Sequence, residues 1–240
     1  MNKILPFLAP ICLFASSCDE LVQDSVNEFY KSDRNLERAI NLATQASEAC
    51  LKAGDAQQAI TSLINSASIC LVNKEPQKAL ELSQKALELA ANVSDKLLLA
   101  RSYQNIGAAK KALGKYDEAL ASFYEAQKIY DTNSNTPMRD ELLCIKSIGS
   151  TYYMKNDFAK AYENHILALN LLDITPDLSN NELVRSELLI EVANDLAKLE
   201  QKDEAAKNYK EVLEILKGKE QNPRALGLLE RASKGLKELN

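Results

Sequence analysis

The chain has 240 residues, 26% charged and 46% hydrophobic, which is ample for a packed core and unlike a disordered protein. Seven glycines, six prolines and no tryptophan, with little Val-Ile-Thr alternation, argue against strands and for an all-helical fold. The net charge of -5 sets up no field that attracts nucleic acid, and an acidic protein–protein adaptor is the expectation.

At the N-terminus, Lys3 is the only charge before Asp19, Ile4 to Ala15 is apolar, and Ala15-Ser16-Ser17-Cys18 follows. A positive start, a short apolar middle and small residues at the end predict a signal peptide over residues 1–17. The run is too short to span a bilayer as a helix, and Pro6 and Pro10 interrupt it. Small residues directly before Cys18 resemble the bacterial lipoprotein signal. That resemblance implies lipidation of the Cys18 sulfur and a membrane partner reached through it. Ala15 stands where that family usually has Leu, so ordinary secretory cleavage before Cys18 remains open, as does a cytosolic chain with an apolar N-terminus. Asp19 resembles an inner-membrane retention signal of some enteric bacteria. Cys50, Cys70 and Cys144 lie inside helical patterns with no metal-ligand spacing and read as small buried hydrophobes. One disulfide is compatible with an oxidising envelope, and the sequence does not choose its partners.

From Cys18 onward the chain is one domain, 18–240, of repeated helix pairs. The first unit, about 20–53, has a first helix predicted over Leu21 to Lys31 and a second carrying Leu36, Ala39, Ile40, Ala43 and Ala46. Gly54 ends it and Asp55 caps the next. The second unit, 55–92, has Leu63, Ala67 and Leu71, then Pro76 opening a helix with Ala79, Leu80, Ala86 and Leu87. Ser94 or Asp95 caps the third unit, 94–131. There Tyr103, Ile106 and Gly107 recur at helical steps, Gly114 breaks the pattern, and Tyr116, Ala119, Leu120, Phe123 and Ala126 form the second stripe.

This third unit resembles a tetratricopeptide repeat, in which an aromatic, then Leu-Gly, a turn Gly, an aromatic, Ala, Phe and Ala recur. Tyr103, Ile106-Gly107, Gly114, Tyr116, Ala119, Phe123 and Ala126 hold those places. A fourth unit, 137–174, follows the Pro137 junction with Ile148-Gly149, Tyr152, Phe158, Ala161 and Ala168. A loop with Pro176 leads to a degenerate fifth, 181–217, with Val192-Ala193, Ala205 and Tyr209. Asn222-Pro223 opens a capping helix, 222–239. The marker alanines Ala39, Ala79, Ala119, Ala161 and Ala205 are spaced by 40, 40, 42 and 44 residues. That spacing resembles the long-period repeats of kinesin light chains and of spindle-orientation adaptors. The expected architecture is a right-handed α-solenoid of about five such pairs plus the capping helix.

Gly-rich phosphate loops, GxSxG and HExxH are absent from the sequence. Asp117-Glu118 and Asp203-Glu204 sit at helix starts, where the dipole favours negative charge. His165, the single histidine, occupies the place of Phe123 and reads as a packed or hydrogen-bonded core residue. No enzyme activity, cofactor or metal is expected. In the resemblance, the first helices line a concave face. It implies peptide contacts at Asn65, Arg101, Gln104, Asn105, Lys111, Lys146, Ser150, Tyr153 and Asn194. Arg101, Asn105, Lys111 and Lys146 would form a locally positive patch for a backbone and a carboxylate. Ala108 and Ser147 replace two residues of the family's two-carboxylate clamp, so that ligand is not carried over. The expected function is a protein-interaction scaffold, lipid-anchored in a bacterial envelope. The alternative is a cytosolic adaptor or secretion chaperone.

Overall fold

A computed structural model describes residues 17–175, 178 and 181–239. The signal segment before Ser17 and the Pro176 loop position lie outside the described residues. Eleven α-helices and no strand occur among the described residues, an α-solenoid fold. They are α1 (Cys18–Tyr30), α2 (Leu36–Lys52), α3 (Ala56–Val72), α4 (Pro76–Ala90), α5 (Lys96–Ala112), α6 (Tyr116–Thr132), α7 (Met138–Met154), α8 (Phe158–Ile174), α9 (Glu182–Lys198), α10 (Lys202–Ile215) and α11 (Pro223–Glu238).

Local chemistry sets the helix starts. Asn35, Asp55, Asp95, Asp157, Asn181 and Asn222 each accept a first-turn backbone N–H on the side chain. Pro76 and Pro223 take the first helical position, where no N–H is needed. α1 begins at Cys18, ahead of the predicted Leu21, because Ser17 and Glu20 form a reciprocal capping box. The turns inside four pairs share one geometry. Lys74, Gly114, Asn156 and Glu200 have φ of 61°, 76°, 62° and 60°. The next N–H in each case reaches back to the helix, as Lys115 N does to the Lys110 carbonyl at 2.9 Å. Gly114 and Asn156 announce that turn in the sequence, since both residue types tolerate left-handed backbone; packing imposes it on Lys74 and Glu200.

All five marker alanines are 0% exposed, so the regular spacing is a row of close helix approaches. The later row Ala46, Ala86, Ala126 and Ala168 is equally buried. Between them lies a position that varies in size: Ala43, Ser83, Phe123, His165 and Tyr209, all buried. A glycine stands opposite each of the three rings, on the same unit's first helix for Phe123 and His165 and on the capping helix for Tyr209. A Cβ on Gly107 would stand 2.7 Å from the Phe123 ring, one on Gly149 2.6 Å from His165, and one on Gly235 2.4 Å from Tyr209. Where the counterpart of Gly107 is Ala67, the buried partner position holds only Ser83.

Successive first helices pack on one another from α3 through α5, α7 and α9 to α11, whereas no comparable packing joins α4 to α6, α6 to α8 or α8 to α10 among the described residues. Closer spacing on the first-helix side bends the stack towards it and makes those helices the inner layer. α1 is the exception, for it packs on α2 and has no comparable packing on α3 among the described residues. A disulfide between Cys18 and Cys50 ties the start of α1 to the end of α2. Cys50 is therefore bonded as well as buried, a correction to its reading as a plain small hydrophobe. The same sulfur of Cys18 cannot carry a thioether lipid while it holds this bond. Cys70 and Cys144 are buried free thiols, pushed up by burial to about 11 and about 12 respectively, and are correspondingly inert.

Candidate peptide-binding groove

The inner layer gathers the nine residues expected there, but most already have partners within the fold. Arg101 donates through Nε to Asp140 Oδ2 at 2.8 Å, and its Nη2 lies 2.7 Å from the same oxygen. Lys146 Nζ lies 3.0 Å from Glu187 Oε1. Asn105 Nδ2 donates to the Ile64 carbonyl at 2.9 Å and to Ser68 Oγ at 3.1 Å. Gln104 Oε1 accepts from the Tyr130 hydroxyl at 2.8 Å, and Asn194 Oδ1 from the Tyr209 hydroxyl at 2.6 Å. Tyr153 stands edge-on to Phe158 with centroids 5.3 Å apart. The expected positive patch is thus corrected. Arg101 and Lys146 are neutralised by carboxylates of the next repeat and serve as rungs between first helices.

The sequence reading missed the acidic halves of these rungs. Glu187 takes Lys146 on one oxygen and Arg224 Nη2 on the other at 3.0 Å. Burial pushes its carboxyl up, but Lys146 and Arg224 together outweigh that and hold it below the usual range. Glu191 takes Arg231 at 2.9 Å. The signal was present: opposite charges on consecutive first helices lie 37 to 40 residues apart in Arg101–Asp140, Glu187–Arg224 and Glu191–Arg231.

Lys111 is different. Its Nζ donates to Ser150 Oγ at 2.8 Å, and among the described residues no carboxylate lies within ion-pair distance of it. Burial first, then the nearby charge of Lys146, lowers its titration from the ordinary lysine value to about 8, against a weaker pull from Glu191. Ser150 in turn donates to the Ser147 carbonyl at 3.2 Å.

Asn65 lines a hollow of about 270 Å³ where α1 and α3 fail to close. Val26, Phe29, Tyr30, Ile69 and Val72 form its apolar wall, with Ser25 and Ser68 beside them. Tyr30 and Val72 are 78% and 47% exposed on its rim. Deeper in the fold, His165 Nδ1 and Asp195 Oδ2 share a hydrogen bond of 2.6 Å, both side chains fully buried. His165 Nε2 and Asp195 Oδ1 have no hydrogen-bond partner among the described residues. Burial raises the Asp195 carboxyl, and His165 opposes the rise. No described group of three or more His, Cys, Asp or Glu could hold a metal, and no described helix is long and apolar enough to cross a membrane.

Residues 58–132 match the family described as Tetratricopeptide repeat. No curated protein matches the sequence. Among solved structures, the chain is similar to a signal-transduction ATPase with a tetratricopeptide repeat sensor from Pyrococcus horikoshii, at 16% identity and a TM-score of 0.69. The match covers 91% of this chain and 33% of that protein, so the chain spans one third of that relative's length. A putative kinesin light chain from Podosopora anserina is similar at 17% identity and TM-score 0.64, over 85% of this chain and 96% of that one. A Rap protein complexed with Competence and Sporulation Factor is similar at 19% identity and TM-score 0.59, over 92% and 64%. The described chain is an α-solenoid of helix pairs, and residues 58–132, in its second and third units, are similar to the tetratricopeptide repeat.

Proposed function

We propose that this protein is a non-catalytic scaffold that holds a peptide or a segment of a partner protein along its inner layer of first helices, after export to a bacterial envelope. The observation that carries the binding reading is the unclosed α1–α3 gap. An apolar hollow with exposed Tyr30 and Val72 on its rim opens onto the same layer that bears the polar rungs. An extended peptide uses such a surface by placing an apolar side chain in the hollow and its polar groups along the rungs. The Rap relative, solved in complex with Competence and Sporulation Factor, has the same fold.

Export is supported by the Cys18–Cys50 bond, since disulfides persist in oxidising compartments. A second reading, anchorage through a lipid on Cys18, rests on the Ala15-Ser16-Ser17-Cys18 sequence and requires Cys50 to be a free thiol. Cleavage before Cys18 would also remove the Ser17 cap of α1.

Selection from a random dodecapeptide library tests the binding reading. Peptides selected on the parent protein should lose affinity for Val72→Glu and keep it for Tyr124→Glu, an exposed site on a second helix. Equal binding to both variants would remove the groove from consideration. Non-reducing peptide mass spectrometry of the protein from envelope fractions decides between the Cys18 fates. A Cys18–Cys50 linked pair supports the first, and an acylated Cys18 with an alkylatable Cys50 supports the second.

A further inference from the structure

We propose that the Cys18–Cys50 bond is a redox strap that holds α1 in place as one wall of the apolar hollow, so that the hollow is complete only while the two sulfurs are joined. The inference rests on the groove reading and adds its regulation. α1 is held unlike any other described helix. Its buried side chains are Ser25 and Glu28, whereas each of the other ten described helices buries apolar ones. Leu21, Val22, Val26 and Phe29 are only half-buried, and α1 lacks the first-helix packing that joins α3 to α5. A 13-residue helix with so little apolar burial is marginal in water.

The non-covalent fastenings of α1 gather at its C-terminal end. Ser25 Oγ donates to the Ala39 carbonyl at 3.0 Å. Glu28 accepts from the Asn35 N–H at 3.2 Å and from Lys31 Nζ at 2.8 Å. Phe29 touches the core around Ala39, Ile40 and Ile69. These contacts fix a hinge at residues 31–35. At the other end the fastening is covalent: Cys18 is the first residue of α1, and Cys50 lies in the last turn of α2, 32 residues on. Val26, Phe29 and Tyr30 form the α1 side of the hollow, facing Ile69 and Val72 of α3. When the strap opens, α1 swings about its hinge and that wall leaves.

Cys18 is half-buried and Cys50 is 0% exposed, so exchange begins at Cys18. An oxidised dithiol oxidoreductase closes the strap. The Cys18 thiolate attacks its disulfide and expels one of its thiolates; the Cys50 thiolate then attacks the Cys18 sulfur of the mixed disulfide and expels the other. Two electrons and the two thiol protons pass to the oxidoreductase, and a reduced dithiol reverses both steps. A chain kept in a reducing compartment therefore lacks the wall, and export to an oxidising one completes the hollow.

Hydrogen exchange read by mass spectrometry, on the oxidised protein with and without dithiothreitol, tests the strap. On reduction, residues 21–30 should lose about a hundredfold of protection while α3 to α11 keep theirs. Cys18→Ser alters only the half-buried sulfur and should show the reduced pattern without reductant, with no further response to it. Undiminished protection of α1 would overturn the inference, because packing alone would then hold the helix. Loss spread over the whole chain would overturn it too, since the bond would be a staple of the entire fold. Absence of the Cys18–Cys50 bond from the protein in envelope fractions would end it as well. Library peptides selected on the oxidised protein should bind about tenfold more weakly after reduction and to Cys18→Ser. Peptides that bind both states equally would refute the gating. A library that yields no ligand counts against the groove reading alone, since the exchange pattern decides the strap by itself.

Discussion

In the third repeat the ring of Phe123 fills the space that Gly107 leaves; in the fourth, the ring of His165 fills the space left by Gly149. The backbone arrangement is the same, and both rings are fully buried. The chemistry differs. Phe123 needs only apolar neighbours, whereas His165 brings two ring nitrogens into the core and is met by Asp195 from the following repeat. At the position corresponding to Asp195 the fourth repeat has Thr151, which bonds to the carbonyl of Ser147 on its own helix at 2.6 Å. An apolar knuckle therefore leaves each repeat to satisfy its own polar groups, while the polar knuckle makes α8 depend on α9. Specific pairing between units is gained there, and tolerance of a change on either side is lost.

The largest expected effect is at that dependence. Asp195→Ala leaves a buried imidazole without its partner and should lower stability by about 3 kcal/mol; an unchanged denaturation midpoint would show the pair to be idle. Next come the glycines. Gly149→Ala pushes a methyl into a ring pinned by Asp195 and should lose about 2 kcal/mol, whereas the free Phe123 ring should limit Gly107→Ala to about 1 kcal/mol, since alanine's helix propensity offsets part of the clash. Urea melts that rank the two in reverse would contradict the pinning. Smaller again is the double change His165→Phe with Asp195→Thr, which copies the third-repeat solution into the fourth. It should be about 1 kcal/mol more stable than the parent, because a buried polar pair is exchanged for apolar packing. A molten or less cooperative product would mean that the pair specifies the stack.

The smallest effect concerns Lys111, the link between these two repeats. Its titration is lowered on folding, so the unfolded chain binds more protons between about pH 8 and 10.5, and stability rises with pH through that window. Lys111→Met removes the titration. It should melt slightly above the parent at neutral pH, with the gap closing as pH approaches 10.5. A gap that persists there would assign the gain to apolar packing alone.

Much of the fold is legible along the chain. Ala39, Ala79, Ala119, Ala161 and Ala205 mark close approaches because only a small side chain allows two helices to touch, and this requirement recurs with each unit. Gly114 and the cap residues Asp55 and Asp95 act on their own backbone, so they too can be read locally. Lys74 and Glu200 carry no sign of the left-handed turn they adopt, since the turn is enforced by the helices on either side. That Arg101, Lys111 and Lys146 sit on first helices was legible, and how their charges are paired was not. Arg101 and Lys146 look available until Asp140 and Glu187 are brought beside them from the next unit. Cys18 and Cys50 likewise meet because α1 and α2 run antiparallel, which composition and spacing do not reveal.

The amino-acid order alone determined that this chain forms helices, where they pair, and which side of each pair is apolar, because those outcomes depend on contacts a few residues apart. Which polar groups are satisfied and which are left over was decided only in three dimensions. Asp140 closes on Arg101, Asp195 on His165, and Lys111 is left with a hydroxyl, because desolvation and hydrogen bonding depend on neighbours that arrive from the adjoining repeat.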